Sequence, residues 1–343
     1  MTTPTTAYTQ AGVSLSAAQQ AKELMAAAVR STYGPEVLAG IGAFGGMFSA
    51  AQLKRMAEPV LVASTDGVGT KTKVAARMGR WDSIGHDLVN HCVNDILVQG
   101  AQPLFMLDYI AAARLDAAQI AIIVGGVAAA CRVAGCALLG GETAQMSGVY
   151  EPGEIDLVGT IVGVVERARA IDGARIQPGD AILGLPSTGL HTNGYTLARR
   201  ALTDLDWAVP LPELGCSAGE ALLAPHRPYL QPIQRLRDAD VDVRGLAHIT
   251  GGGFAENLPR ILPADHGAVL RRGSWPEPPI FGLIQRLGEV EPVEMFEVFN
   301  MGLGMLVVVA QKDVARALAA LPGDAYVVGE IVSGQGQVTI QNL

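Results

Sequence analysis

The chain has 343 residues, 49% of them hydrophobic and 17% charged, with 41 glycines and only 5% aromatic residues. That length accommodates two domains, each with a core of Ala, Val, Leu and Ile and many tight turns, and the composition excludes a disordered chain. A formal net charge of −8 argues against nucleic acid or an anionic membrane as main partner, while leaving room for a phosphorylated small molecule held by local donors.

The four cysteines, Cys92, Cys131, Cys136 and Cys216, show no C-x-x-C spacing and read as buried thiols of a reducing compartment. No basic segment followed by an apolar one opens the chain, so no secretory signal and a cytoplasmic location are expected. A polar arm leads to a short helix near Ala17–Arg30. GPEVLAGIGAFGGMF follows, with Gly40, Gly42, Gly45 and Gly46; such a loop either covers phosphates or packs against another backbone.

The apolar run Val60–Ala63 predicts a buried strand that delivers Thr65 and Asp66 to a turn at Gly67 and Gly69, with Lys71 opening the next element. SIGHDLVNHCVNDILVQG predicts a helix from Ser83 as N-cap to Gly100 as C-cap. Ile84, Leu88, Cys92 and Ile96 repeat along one face, widened by Val89, Val93 and Leu97, while Asp87, His91, Asn94 and Asp95 share the other. That polar face is either solvated or brings Asp95 to meet Asp66, and hard carboxylate oxygens beside backbone N–H groups suit a magnesium–nucleotide.

A second buried strand is predicted at Pro103–Ala112, then a helix capped by Asp116 and running through Ala134 to Gly135. Its apolar part, Ala117 to Cys131, reads as a core helix too short to span a bilayer. CALLGGET gives a strand ending in Gly140, Gly141 and Glu142, and Asp156–Glu166 gives another. Three strand ends thus carry acids: Asp66, Asp108 and Glu142. The layout is α+β, with helices on one side of a sheet.

RARAIDGARIQPG (Arg167–Gly179) is charged and turn-rich and marks the domain boundary. The strand DAILGLP runs into STGLHTNGY, where Ser187, Thr188, Gly189 and Thr192 crowd a loop that Asn193 caps into a helix from Tyr195. Hydroxyls and N–H groups there suit an anion; His191 either serves as acid, base or phosphate donor, or is an idle loop residue. A helix at Leu222–Ala239 is broken at Pro225 and Pro228, and His248 then precedes the glycines at 251, 252 and 253 and a helix carrying Glu256 and Asn257. A helix at Ile280–Leu287, a strand over Glu294–Ala310, a helix at Asp313–Leu321 and strands through Ile340 complete the chain.

With these stretches in order, DGVGTK (66–71), CVNDILVQGAQPLF (92–105), GGETAQM (140–146), STGLHTNGY (187–195), HITGGGFAENLPR (248–260) and FNMGLGM (299–305) resemble the phosphoribosylformylglycinamidine cyclo-ligase family, or AIR synthetases, over nearly the whole chain. The resemblance implies two sheet-and-helix domains, 1–170 on the nucleotide side and 171–343 on the ribonucleotide side. It implies ATP-dependent closure of formylglycinamidine ribonucleotide to aminoimidazole ribonucleotide, with ATP and Mg²⁺ required and K⁺ an open question. It assigns Asp66, Asp95, His191 and His248 to catalysis, and Asp66, Asp95 and Glu142 to the metal. Gly45, Gly46, Lys71, Asp66, Asp95, Gly141 and Glu142 go to ATP. Thr65, Thr188, Gly189, His191, Asn193, Thr250, Gly251 and Gly252 go to the ribonucleotide. A homodimer with paired first-half sheets is implied, with neither nucleic acid nor membrane as partner. The chain departs from the family at Gln145, where a carboxylate is usual, at Ser147 and Val149, at Ala26, where relatives often place a lysine, and at Asn90 and His91. The alternatives are a thiamine-phosphate kinase-like enzyme of the same architecture or a non-catalytic nucleotide-binding scaffold.

Overall fold

The computed structural model describes residues 15–343; the expected polar arm lies outside them. The chain divides into two units: the described residues up to Val93 with Gln102–Glu166, and Asn94–Ala101 with Arg167–Leu343. Each is described on its own.

In the first unit, α1 (Leu15–Arg30) precedes a small hairpin, β1 (Val37–Ala39) and β2 (Met47–Phe48), which encloses the glycine loop. Four longer strands form one sheet: β3 (Pro59–Gly67), β4 (Gln102–Ala112), β5 (Ala137–Gln145) and β6 (Ile155–Glu166), in the order β3-β6-β4-β5. β4 and β5 are parallel, joined through a crossover helix, and the other pairs are antiparallel. The helices are α2 (Lys71–Met78), α3 (Ile84–Leu97) and α4 (Ala117–Ala134).

Side-chain alternation gives the sheet one closed and one open face. Met106 and Ile110 of β4 and Leu157 and Ile161 of β6 are fully buried, whereas Leu107 is 37% exposed although its strand is central. The apolar stripe of α3 (Ile84, Leu88, Val89, Cys92, Val93, Ile96 and Leu97) is buried as its spacing predicts. Asp116 accepts from Gln119 N at 3.0 Å and Gly135 turns left-handed, so α4 begins and ends where its caps dictate. Gly85 and Gly126 let α3 and α4 approach closely: a Cβ on Gly85 would lie 2.3 Å from Ile123 O.

Two expectations are corrected in this unit. β3 is not a buried strand but an edge strand, with Leu61 61% exposed; its apolar run faces the open side and the margin of the sheet. The helix α4 reaches 18 residues and is long and apolar enough to cross a membrane by length and composition, against the expectation of too short a run. Half of it is buried inside this unit, including Ile120, Ile123, Val124 and Val127, as a core helix would be.

The second unit is built on a six-stranded sheet. Its strands are β7 (Ala181–Pro186), β10 (Val243–His248), β11 (His266–Arg271), β12 (Leu303–Val309), β13 (Tyr326–Ser333) and β14 (Val338–Gln341), in the order β10-β12-β7-β13-β11-β14. A short hairpin, β8 (Pro210–Leu211) and β9 (Cys216–Ser217), stands apart. Every residue of β12 is buried, so both faces of the sheet centre are covered. The helices are α5 (Tyr195–Ala201), α6 (Ala218–Leu222), α7 (Leu230–Asp238), α8 (Gly253–Asn257), α9 (Pro279–Gly288), α10 (Pro292–Val298) and α11 (Val314–Ala320). Ile233 and Leu236 of α7 and Ala317 and Leu321 at α11 join Leu183, Leu185, Met305 and Val307 in one core cluster that also takes in Leu97.

The expected strand over Glu294–Ala310 is corrected to α10, a turn and β12. Pro292 starts the helix without needing a donor. Met295 and Phe296 bury one side of it, and Met301 and Gly302 reverse the chain with positive φ. The cap of α5 is Gly194, with φ 76°, rather than Asn193.

Candidate active site

Most of the polar face of α3 is buried, with Asp95 keeping partial exposure. Asp87 and Asn94 are fully buried and His91 is 3% exposed. The division into units falls inside this helix, so Asp87 and His91 are described with the first unit and Asn94 and Asp95 with the second.

In the first unit, the Lys71 Nζ sits 2.8 Å from Asp87 Oδ1, both side chains wholly enclosed. Burial lowers the Lys71 pKa and the Asp87 charge works against that lowering. Lys71, expected to reach the nucleotide, is thus engaged inside the unit. Asp66 Oδ2 lies 2.8 Å from His91 Nε2, so His91, set aside as a departure, is the partner of the acid on which the first half turns.

Register decides which acids share a side of the sheet. Asp66 of β3 pairs with Gly159 of β6, Gly159 with Asp108 of β4, and Asp108 with Gly141 of β5. This row faces one way, toward the helices, and Glu142, one residue on, faces the other. Asp66 and Glu142 therefore do not form one metal site, a correction that follows from the period of two in a strand. The acid that does share the Asp66 row is Asp108, whose carboxyl is pushed up to about 7 by burial. A Cβ on Gly141 would lie 2.0 Å from Asp108 Oδ1, so glycine there is what admits the carboxylate. On the open face, Thr65 Oγ1 and Thr160 Oγ1 meet at 2.8 Å. Gly45 and Gly46 lie in the β1–β2 loop.

In the second unit, Asp95 Oδ1 is 2.8 Å from His248 Nδ1, and His248 Nε2 is 3.1 Å from His226 Nε2. Asp66 and Asp95 thus each hold a different histidine. His191 is 1% exposed, at a strained φ of 61°. Its Nε2 accepts from the backbone N–H groups of Thr188 and Arg227 at 3.3 and 3.4 Å, and its ring stacks on His226. Thr188 Oγ1 bonds Pro225 O, and the Gly189 carbonyl accepts from Asn300 Nδ2 at 2.8 Å. Thr250 bonds Asn257, whose amide also bonds the carbonyls of Gly251 and Gly253 and so braces the turn through Gly252. Asn193 lies beside Gly251, and its Nδ2 is buried with no hydrogen-bond partner among the described residues. A buried amide donor left unpaired costs about 1–3 kcal/mol, which a bound acceptor would recover.

Sequence reasoning missed Asn94 and His226. Asn94 spans two backbone groups, giving Nδ2 to Arg227 O at 2.9 Å and taking Tyr229 N at 3.0 Å. Its signal was an uncharged amide on a face otherwise charged. His226 stands between two prolines, where nothing in the local pattern announces a role.

Residues 49–165 match the N-terminal domain, and residues 177–341 the C-terminal domain, of AIR synthase related proteins. The class is therefore a two-domain AIR synthase-related protein. A phosphoribosylformylglycinamidine cyclo-ligase of Desulfitobacterium hafniense (strain DSM 10664 / DCB-2) is 52% identical over 96% of this chain and 97% of its own. One of Myxococcus xanthus (strain DK1622) is 52% identical over 97% and 98%. The chain belongs to the phosphoribosylformylglycinamidine cyclo-ligase family and is an enzyme of the ligase class. Among solved structures, the E. coli hydrogenase maturation protein HypE has a TM-score of 0.68 at 19% identity, covering 95% of this chain and 94% of its own. Thiamine-monophosphate kinase of Stenotrophomonas maltophilia K279a has 0.65 at 19%, over 93% and 96%. These two likenesses show the fold.

Proposed function

We propose that this enzyme closes the imidazole ring of aminoimidazole ribonucleotide from formylglycinamidine ribonucleotide, with ATP converted to ADP and phosphate. An amide oxygen is a poor leaving group. Transfer of the γ-phosphoryl group to that oxygen makes it a phosphate; the substrate nitrogen then attacks the same carbon, the C–N bond forms, the C–O bond breaks and phosphate departs. The chain's part is to position the two substrates, exclude water and offset charge.

Asp66 in the first unit and Asp95 in the second each offer a hard oxygen donor anchored by a histidine and partly exposed, a donor chemistry that suits Mg²⁺. Mg²⁺ held by such carboxylates would neutralise polyphosphate charge. HypE, which shares this fold, has been solved in complex with ATP, which supports a nucleotide site in this architecture. Asn193, Thr250 and the Gly251–Gly252 turn are assigned to the ribonucleotide; the orphaned Asn193 Nδ2 is the observation that carries this assignment. The open, partly apolar sheet face with Leu61 and Leu107 supports a homodimer in which Glu142 acts from that face.

The test is ADP release with and without formylglycinamidine ribonucleotide, with the product weighed by mass spectrometry. ADP formation that depends on the ribonucleotide and yields a product lighter by one water is expected. Equal ADP release in its absence would return the chain to a nucleotide-binding or kinase-like role.

A further inference from the structure

Four side chains of the second unit are joined in series by three hydrogen bonds. Thr192 Oγ1 is 3.3 Å from His226 Nδ1, His226 Nε2 is 3.1 Å from His248 Nε2, and His248 Nδ1 is 2.8 Å from Asp95 Oδ1. His226 is 1% exposed and His248 7%, while the Asp95 side chain is 23% exposed. The end that meets solvent is the carboxylate.

Donor and acceptor roles follow from that end. A carboxylate oxygen only accepts, so His248 carries its proton on Nδ1 and presents a lone pair at Nε2. His226 must then donate from Nε2, which leaves its Nδ1 to accept the Thr192 hydroxyl proton. One neutral tautomer per ring satisfies every link.

The three imidazoles His191, His226 and His248 also bring nitrogens within 4.8 Å of one another, the spacing of a tris-histidine metal centre. Two observations set that reading aside. The His191 and His226 rings lie face to face, centroids 4.0 Å apart and planes 23° apart, whereas rings on one ion point their edges at it. The His191 Nε2 lone pair already takes the Thr188 and Arg227 N–H groups.

We infer that His226 is a positioning residue: its Nε2–H holds His248 in the one tautomer that donates to Asp95, and so fixes the direction of the exposed carboxylate. The inference deepens the function proposed above and rests on it for its kinetic arm only. Chemistry at Asp95 needs one oxygen anchored so that the other is aimed, and a free His248 ring would alternate between tautomers of which one offers Asp95 no proton.

Two substitutions separate orientation from packing. His226→Gln keeps an N–H donor at about the position of Nε2 and an acceptor for Thr192; His226→Leu keeps bulk and removes both. In ¹⁵N-histidine-labelled full-length protein, long-range proton–nitrogen spectra report the His248 tautomer, assigned by its loss in His248→Gln. Wild type and His226→Gln should show Nδ1–H alone, and His226→Leu a mixture. In ribonucleotide-dependent ADP release, His226→Leu should lose about tenfold or more in kcat with KM for ATP within about threefold, and His226→Gln should recover most of it. An Nε2–H tautomer or an imidazolium at His248 in wild type overturns the inference, as does equal loss in both variants. So does stoichiometric binding of Co²⁺ to wild type with a tetrahedral absorption band that either variant abolishes. If no ribonucleotide-dependent turnover exists at all, the function fails while the tautomer spectra still decide the role of His226; should His226→Leu not fold, the comparison of wild type with His226→Gln and Thr192→Val carries the same decision.

Discussion

Asp108 should make the first unit less stable as pH rises through neutrality, and Asp108→Asn should remove that loss. Its carboxyl is pushed from 3.8 up to about 7 by burial, with a bond from its own backbone pulling the other way. The native state therefore holds a proton that the unfolded chain releases near 3.8. Stability from this group is full below 3.8 and is lost as pH rises through about 7. Three units at 1.36 kcal/mol each give about 4 kcal/mol as a ceiling, and because Asp108 keeps partial exposure about half that is a fairer figure. From pH 5 to 8 the difference between variant and wild type should change by about 1–3 kcal/mol, or roughly 3–9 °C in Tm. Asn mimics the protonated carboxyl, so the variant should gain on wild type as pH increases. Thermal melts of both proteins at four pH values, read as a difference so that other titrating groups cancel, supply the test. Parallel Tm curves would refute the buried, proton-holding Asp108.

Lys71→Met should cost about 3–5 kcal/mol by leaving the buried Asp87 charge without its cation, and adding Asp87→Leu should recover most of it; a double variant as unstable in thermal melts as the single would show that the loss does not come from the uncompensated carboxylate. Gly141→Ala should destabilise by about 1–3 kcal/mol because its Cβ meets the Asp108 side chain and carbonyl, whereas Gly125→Ala in α4, which meets nothing within 4 Å, should stabilise by about 0.5–1 kcal/mol; shifts of the same sign in melting would contradict the packing. Asp95→Ala should abolish ribonucleotide-dependent ADP release and also lower stability by about 1–3 kcal/mol, since the buried His248 loses its acceptor; turnover at the wild-type rate would remove Asp95 from the reaction.

The fold was legible where local rules act alone. The spacing of Ile84, Leu88, Cys92 and Ile96, the Asp116 cap and the Gly135 stop each predict what the structure contains. Burial of the opposite face of α3 was not legible, because Asp87, His91 and Asn94 are paired by residues from other elements and pairing is invisible in a helical period. The edge position of β3 was hidden for a related reason: an apolar run reads as buried, and only strand order reveals that it borders the sheet. Glu142 is grouped with Asp66 in the sequence because both are acids at predicted strand ends beside glycines; register, which the sequence alone does not disclose, puts them on opposite faces.

The two prolines at 225 and 228 were read only as breaks in a helix, yet the segment between them is where the second-unit network is tied. Proline donates no hydrogen bond, so this stretch cannot satisfy itself as helix and must find partners among side chains. Asn94 supplies two of them, at Arg227 O and Tyr229 N. With that backbone fixed, Arg227 N faces His191 and the Tyr229 hydroxyl donates to Pro186 O at 2.9 Å. His226 is then held against both His191 and His248. Asn94 and Asp95 are adjacent residues of one helix, and they govern the two ends of this arrangement, one by bracing the segment that carries His226 and the other by receiving the proton of His248. A residue that hydrogen-bonds two backbone groups thus shares in setting the geometry of the acid beside it, which is why the N-D pair of the α3 block reads as one functional unit rather than as two polar positions.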